Sequence, residues 1–229
     1  QVTVVEAARQ VLGPLDPEMA AIVHKYLQEQ GIRLVLGDKS TAFEGSSRVE
    51  KVILESGREI PTAMVVLAIG VKPEVWLAKE AGLAIGSTGG ILVDEYSRTS
   101  DPSIYAVGDA IQVKHLVTGL DVLVPLAGPA SRQGRLVADN IAGSPVKHRG
   151  VQGTAIVKLM DMTVAVTGAN EKTLMRLGID YLDCQIHSDP HAAYYPGGVQ
   201  MSMKLLFTPL EGKILGAQVV GYTGVDKCI

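Results

Sequence analysis

The chain has 229 residues, 47% of them hydrophobic and 20% charged, with a formal net charge of −3. That length and apolar content bury a proper core, as one large domain or two small ones, and exclude a disordered polymer. Lys and Arg are scattered rather than gathered into a basic stripe, which excludes a phosphate-backbone reader, and the apolar run Met64 to Ile69 is far short of the ~20 residues of a membrane span.

Gly is frequent at 25 residues and aromatics are sparse at 4%, a balance of short strands and helices joined by tight turns, and hence of an α/β chain. Val2 to Val5 is a β-branched run ending at Glu6, the pattern of a buried parallel strand whose carboxyl end opens on a ligand crevice. Asp16 and Pro17 are suited to the cap and first turn of a helix, and Met19, Ile22, Val23, Tyr26 and Leu27 recur at helical spacing before Gly31 stops it. Ile32 to Leu36 reads as a strand, and Val49 to Glu55 with Glu59 to Pro61 as a hairpin around Ser56-Gly57. Ala63 to Ile69 reads as a further, buried strand, running through Gly70 into a short helix from Glu74 to Ala81. No Gly-x-Gly-x-x-Gly occurs, so residues 1–90 read as a Rossmann-like nucleotide-binding domain without its first strand and glycine-rich turn, beginning mid-domain at Gln1.

Ile91 to Asp94 and Ser103 to Val107 read as short strands, and Pro129 opens a helix whose Leu136, Val137 and Ile141 form an apolar face up to Gly143. From about residue 149 the texture changes. Strands are expected at Thr154 to Leu159, Thr163 to Thr167, Tyr181 to His187, Val199 to Phe207 and Ile214 to Val220, with a helix capped by Asn170 and ending at Leu177. This tail is an α+β unit with an antiparallel sheet. Cys184 and Cys228 stand in neither a Cys-x-x-Cys nor a metal-ligand spacing, and a reducing cytoplasm fits them. His187 and His191 lie near each other, but no third ligand accompanies them, and no metal is expected.

Three clusters carry chemistry. The stretch Thr99 to Asp109 ends in Ile-Tyr-Ala-Val-Gly-Asp. There the bare Gly108 leaves the backbone open to close approach, and the Asp109 carboxylate is a hydrogen-bond acceptor at the strand's exit. Next, Val124 to Arg135 reads Val-Pro-Leu-Ala-Gly-Pro-Ala-Ser-Arg-Gln-Gly-Arg, a helix start at Leu126, Ala127 and Gly128 whose free N–H groups and dipole favour negative charge. The last is His191 to Gly198, with Tyr194 and Tyr195 ahead of a Pro-Gly turn, where each phenol is a hydrogen-bond donor.

Together these segments closely resemble the FAD-dependent pyridine nucleotide-disulfide oxidoreductases, and within them the coenzyme A disulfide and persulfide reductases. The resemblance implies a flavin site at Gly108, Asp109, Leu126, Ala127 and Gly128, and a nicotinamide site at Glu6, Ile69 and Gly70. The Glu6 carboxylate would favour NADH over NADPH by repelling a 2′-phosphate, a preference that Arg9 could soften. At Ala68-Ile69-Gly70-x-x-Pro73, Ile69 replaces the family's usual Thr, which keeps a backbone role and removes a hydroxyl one.

One of Tyr194 and Tyr195 is implied as an accessory catalytic residue reaching across a homodimer to the partner's redox cysteine, a cysteine this chain lacks. The implied division is 1–90 for NAD(P) binding, 91–148 for the return of the FAD domain and 149–229 for dimerisation, where the apolar Leu205, Leu206 and Phe207 are suited to the interface. The implied activity carries electrons from NAD(P)H through FAD to a cysteine that reduces coenzyme A disulfide or persulfide. By itself the chain is expected neither to hold FAD tightly nor to turn over. An NADH oxidase or peroxidase shares the cofactor motifs and stands as the alternative, and a non-catalytic dimerisation module as the rival of another class.

Overall fold

The computed structural model describes residues 1–192 and 194–229. In chain order the elements are β1 (Thr3–Glu6), α1 (Pro17–Glu29), β2 (Arg33–Leu36), β3 (Ser40–Glu44), β4 (Lys51–Leu54), β5 (Glu59–Pro61), α2 (Trp76–Glu80), β6 (Val113–Lys114), β7 (Asp121–Val122), α3 (Ala127–Ile141), β8 (Ala155–Leu159), β9 (Met162–Gly168), α4 (Glu171–Leu177), β10 (Leu182–Ser188), β11 (Met201–Phe207), β12 (Ile214–Gly221) and α5 (Val225–Cys228). Contacts divide the chain into two units: residues 1–70, 156–166 and 170–229 form one, and residues 71–155 and 167–169 the other.

In the first unit β1 and β2 pair in parallel, Thr3 opposite Arg33 and Glu6 opposite Leu36. The period of α1 places Met19, Ala20, Val23, Tyr26 and Leu27 on one buried face, which meets Met162, Val164 and Val220 of the tail sheet. That sheet has the order β10-β11-β12-β9-β8, with β10, β11 and β12 as an antiparallel meander. Asn170 caps α4 through its side chain, accepting from the Thr173 N–H at 2.9 Å, and Gly178 ends the helix in the left-handed region. β3, β4 and β5 form a separate antiparallel sheet over Val35, Val52, Leu54 and Ile60.

Three expectations differ from the structure in this unit, and one strand was not expected. Ala63 to Ile69 is not a strand: among the described residues it has no ladder partner, and its Met64, Val66, Leu67 and Ile69 are exposed, only Val65 turning in towards the small core. A strand is made by its neighbours, and β1–β2 stops at two. Strand β3 has no signature in the sequence because all five of its residues are exposed and leave no alternating pattern. Leu206 is fully buried and so belongs to the core rather than to an exposed apolar face.

Asp16 occupies the N-cap of α1, yet its side chain makes no capping bond. It points inward instead. The Asp16 carboxylate accepts from Gln218 Nε2 at 2.6 Å and from the Glu171 N–H at 3.0 Å, and the Lys204 ammonium lies 3.2 Å away. Lys204 also bonds Glu18 and lies 3.2 Å from Glu171. Burial works against the Lys204 ammonium, but Glu18, Asp16 and Glu171 outweigh it and hold its pKa above the ordinary lysine value. The cluster joins the start of α1 to β11, β12 and α4.

The second unit is built on Val75, Ala78, Ile91, Ile111, Val113 and Val151. Its β6–β7 hairpin pairs Val113 with Val122. The expected strands Ile91 to Asp94 and Ser103 to Val107 are reduced to single bridges, Ile91 with Ile85 and Ile111, and Arg98 with Tyr105. The close approach at Gly90 is the reason the first crosses so tightly: a Cβ there would stand 2.7 Å from Gln112 N and 2.9 Å from the Ile111 carbonyl carbon. Among the described residues no helix is long and apolar enough to cross a membrane.

Candidate functional site: a Gly-Asp turn against a helix start

In the second unit the chain leaves Val107 in extended backbone and turns through a single 3-10 turn at Gly108–Ala110. Gly108 has φ +79°, in the region that costs a side-chain-bearing residue, and a Cβ on it would stand 3.7 Å from the Ala130 Cβ of α3. The turn is bonded to that helix. The Gly108 N–H donates to Gln133 Oε1 at 2.7 Å, and Gln133 is 2% exposed. Asp109, next in the chain, is exposed. It lines a cavity of about 410 Å³ together with Val71, Lys72, Pro73, Leu123 and Pro125.

Pro125 leads directly into α3. Leu126 is the N-cap, in extended backbone, and its side chain caps nothing. The amides of Ala127 and Gly128 therefore begin the helix without an intrahelical acceptor, and Pro129, having no N–H, adds none. The Arg132 guanidinium folds back over this turn, its Nη2 3.8 Å from where a Cβ on Gly128 would stand. Helix dipole and guanidinium reinforce one another, so this end of α3 attracts negative charge. The cavity lining includes Leu123 and Pro125; Leu126, Ala127 and Gly128 follow them in the chain and are not among the lining residues.

These features fit part of a flavin nucleotide. A carboxylate that accepts only, a glycine that admits close backbone approach and an uncapped helix start under positive potential match its hydroxyl chain and its anionic ring edge. The Arg98 pair with Asp94, at 2.8 Å, and Asn140 Nδ2, donating to the carbonyls of Tyr96 at 3.0 Å and Val146 at 3.1 Å, brace the loops around this framework.

Behind the turn, Gln133 Nε2 lies 3.4 Å from His148 Nε2, and the Gly150 N–H donates to His148 Nδ1 at 3.3 Å. Burial lowers the pKa of His148, and the Gly150 N–H on Nδ1 is suited to the neutral ring. The sequence reading missed this support. Its signal was present as the Gln of the Arg-Gln-Gly stretch, but nothing in a linear pattern shows that an amide is the one buried side chain of α3.

The remaining candidates lie in the first unit. Glu6 ends β1 with its Oε1 accepting from the Ala8 N–H at 2.8 Å, which folds the carboxylate over the loop that follows the strand. Ile69 is 86% exposed, and Gly70 has φ +90°. Tyr194 and Tyr195 are exposed, with ring centroids 4.8 Å apart, and His191 stands edge-on to Tyr195 at 6.1 Å. Ala193, inside this segment, lies outside the described residues. His187 Nδ1 is 2.9 Å from Ser202 Oγ, and His191 Nδ1 is 3.1 Å from the Ala192 carbonyl.

Comparisons with known proteins agree along the whole chain. The family model for pyridine nucleotide-disulphide oxidoreductases matches residues 1–134, and the model for their dimerisation domain matches residues 154–229. An NAD(P)H sulfur oxidoreductase (CoA-dependent) from Pyrococcus furiosus is 38% identical over 96% of this chain and 50% of the relative. An NADH oxidase from Methanocaldococcus jannaschii is 39% identical over 96% of this chain and 49% of the relative. The crystal structure of reduced Bacillus anthracis CoADR-RHD is 49% identical, with a TM-score of 0.95, and is matched over 99% of this chain and 41% of that one. The chain thus spans about half the length of the relatives it matches.

Proposed function

Because the chain belongs to the pyridine nucleotide-disulphide oxidoreductase family, we propose that it is the cofactor-bracing and dimerising half of an enzyme that reduces coenzyme A disulfide or persulfide. The observation that carries this reading is the Gly108–Asp109 turn bonded through Gln133 to α3, with Asp109 open to a cavity beside the uncapped helix start. Asp109 would hold FAD by its hydroxyl chain, while the amides of Ala127 and Gly128, approached through Leu126, would face its negative edge. Bound there, FAD supplies the relay between the two-electron donor NAD(P)H and a thiol-disulfide centre.

The rest of the proposal concerns the first unit. Glu6 would accept from a ribose hydroxyl of the nicotinamide cofactor, and Ile69 with Gly70 would give it a backbone edge; the carboxylate favours NADH. One of Tyr194 and Tyr195 would donate to the sulfur that departs as a coenzyme A disulfide or persulfide is cleaved. Their exposure supports a partner that covers them, and we assign that partner to a second copy of the protein in a homodimer, in a reducing cytoplasm. The division into residues 1–90, 91–148 and 149–229 is retained as the functional one.

The test is an assay of the full-length protein with NADH against coenzyme A disulfide, coenzyme A persulfide and oxygen. Faster NADH oxidation with either coenzyme A acceptor than with oxygen is expected. Rapid oxygen consumption alone would assign the protein to the NADH oxidases.

A further inference from the structure

Gln133 is an anomaly of helix construction. In the 15 residues of α3 it is the one buried side chain, whereas Leu136 and Val137 are only partly buried and Ile141 is exposed. A helix packed for stability alone turns an aliphatic residue inward at such a position, since burying an amide is unfavourable unless its polar atoms are satisfied. Here the amide oxygen is engaged. The Gly108 N–H can only donate, so the oxygen must face Gly108, as it does at 2.7 Å. The NH₂ group then faces His148 Nε2, at 3.4 Å. The ring of His148 is fixed in turn by the Gly150 N–H on Nδ1 and by its own backbone N–H, which donates to the Glu95 carbonyl at 2.6 Å.

The bond also lies where geometry matters most. Gly108 immediately precedes Asp109, so anchoring its N–H fixes the plane of the peptide just ahead of the residue whose carboxylate lines the cavity. The anchor is on α3 itself, two turns into the helix that presents Ala127 and Gly128. A single buried amide therefore sets the position of the Asp109 carboxylate relative to the helix start. These two groups must address different parts of one ligand, and a misplacement at one would be felt at both.

We propose that Gln133 is a positioning residue of the flavin site, registering the Gly108–Asp109 turn against the amino end of α3. The proposal rests on the reading of that turn and helix as the flavin site. Full-length protein is stripped of flavin, and FAD affinity is measured by fluorescence quenching, with the visible absorption band of the bound flavin recorded, for wild type, Gln133→Met, Gln133→Glu and Asp109→Ala. Gln133→Met keeps the shape of the side chain and removes the acceptor; it is expected to weaken FAD binding about tenfold or more and to shift the absorption band.

Gln133→Glu keeps an oxygen for the Gly108 N–H and is expected to recover most of the affinity and the native band. Affinity of Gln133→Met within twofold of wild type overturns the proposal. So does a Gln133→Glu variant as weak as Gln133→Met, because the loss would then come from packing rather than from the bond. Should Gln133→Met fail to fold, the Gln133→Glu arm decides alone: near-native affinity and band sustain the proposal, and a tenfold loss overturns it. Asp109→Ala separates the two levels. If it weakens FAD while Gln133→Met does not, only the role of Gln133 falls; if Asp109→Ala is also without effect, the flavin reading of the turn falls with it.

Discussion

The Lys204 ammonium stands 3.2 Å from the Asp16 carboxylate with both side chains shut off from water, one on β11 and the other at the start of α1. One lysine answers three carboxylates there, since Glu18 and Glu171 share it, and Gln218 closes the far side of Asp16. Removing the cation leaves Asp16 buried beside like charges. Lys204→Met is therefore expected to cost about 3–5 kcal/mol of unfolding free energy, the range for breaking one side of a buried pair. Urea denaturation measures it. A loss below about 1 kcal/mol, the worth of an exposed pair, would mean that water reaches the carboxylates after all.

Acid should weaken the fold in two steps. Burial lowers the pKa of His24, His115 and His148, and each ring accepts a backbone N–H: His24 from Val11 at 3.1 Å, His115 from Thr118 and His148 from Gly150, both at 3.3 Å. A pKa lower in the folded than in the unfolded state means that the unfolded chain takes up protons first as pH falls. Stability is then fully present above the ordinary imidazole value of about 6.5 and declines as pH falls through the folded values. Burial tends to raise the pKa of Glu18, but its bond to Lys204 prevails and lowers it, so a second loss follows in the carboxylate range. Thermal midpoints from pH 8 to pH 4 read both steps. Replacing His24 with Gln keeps an acceptor without a titration, and a first step of unchanged size in that variant would remove His24 from the account.

What the sequence made legible follows the range of the interactions concerned. α4 was readable because its cap, its period and its left-handed terminator lie within a few residues of one another, and the Asn170 side chain bonds Thr173. The tail strands β11 and β12 were readable for the same reason, each being a short, largely apolar run of adjacent residues. Asp16 misled because a cap and an inward carboxylate have the same sequence signature, and the partners that decide between them, Lys204 and Gln218, lie in the last two strands of the sheet. Ala63 to Ile69 misled in the opposite direction, its local pattern being that of a strand while no described strand pairs with it. The Gly108–Asp109 turn was legible as a motif, but the bond from Gln133 that holds it is a tertiary fact.

The two kinds of glycine in the second unit should separate experimentally. At Gly108 there is room for a methyl group, with the nearest side-chain atom at 3.7 Å, so Gly108→Ala pays only for the left-handed backbone, about 1–2 kcal/mol. At Gly90 a methyl group would meet backbone at 2.7 and 2.9 Å, atoms that cannot step aside, and Gly90→Ala is expected to cost about 3 kcal/mol or more. Urea midpoints of the two variants give the comparison. Equal costs would show that the turn at Gly108 is held as tightly as the crossing at Gly90.

Tyr194 and Tyr195 offer the sharpest division between stability and chemistry. They are 82% and 59% exposed, so loss of either hydroxyl should leave the unfolding free energy within about 0.5 kcal/mol of wild type. If one phenol donates to departing sulfur, as proposed, replacing it with Phe removes a bond that strengthens as charge develops. The expected result is a fall in kcat of about tenfold to a hundredfold for that variant, at or below the roughly hundredfold lower end of the range seen when an oxyanion donor is deleted, with FAD affinity unchanged. The other Tyr→Phe variant should turn over normally. Steady-state kinetics of the full-length protein with a coenzyme A disulfide decides between them, and full activity in the double Phe variant would remove both tyrosines from the reaction.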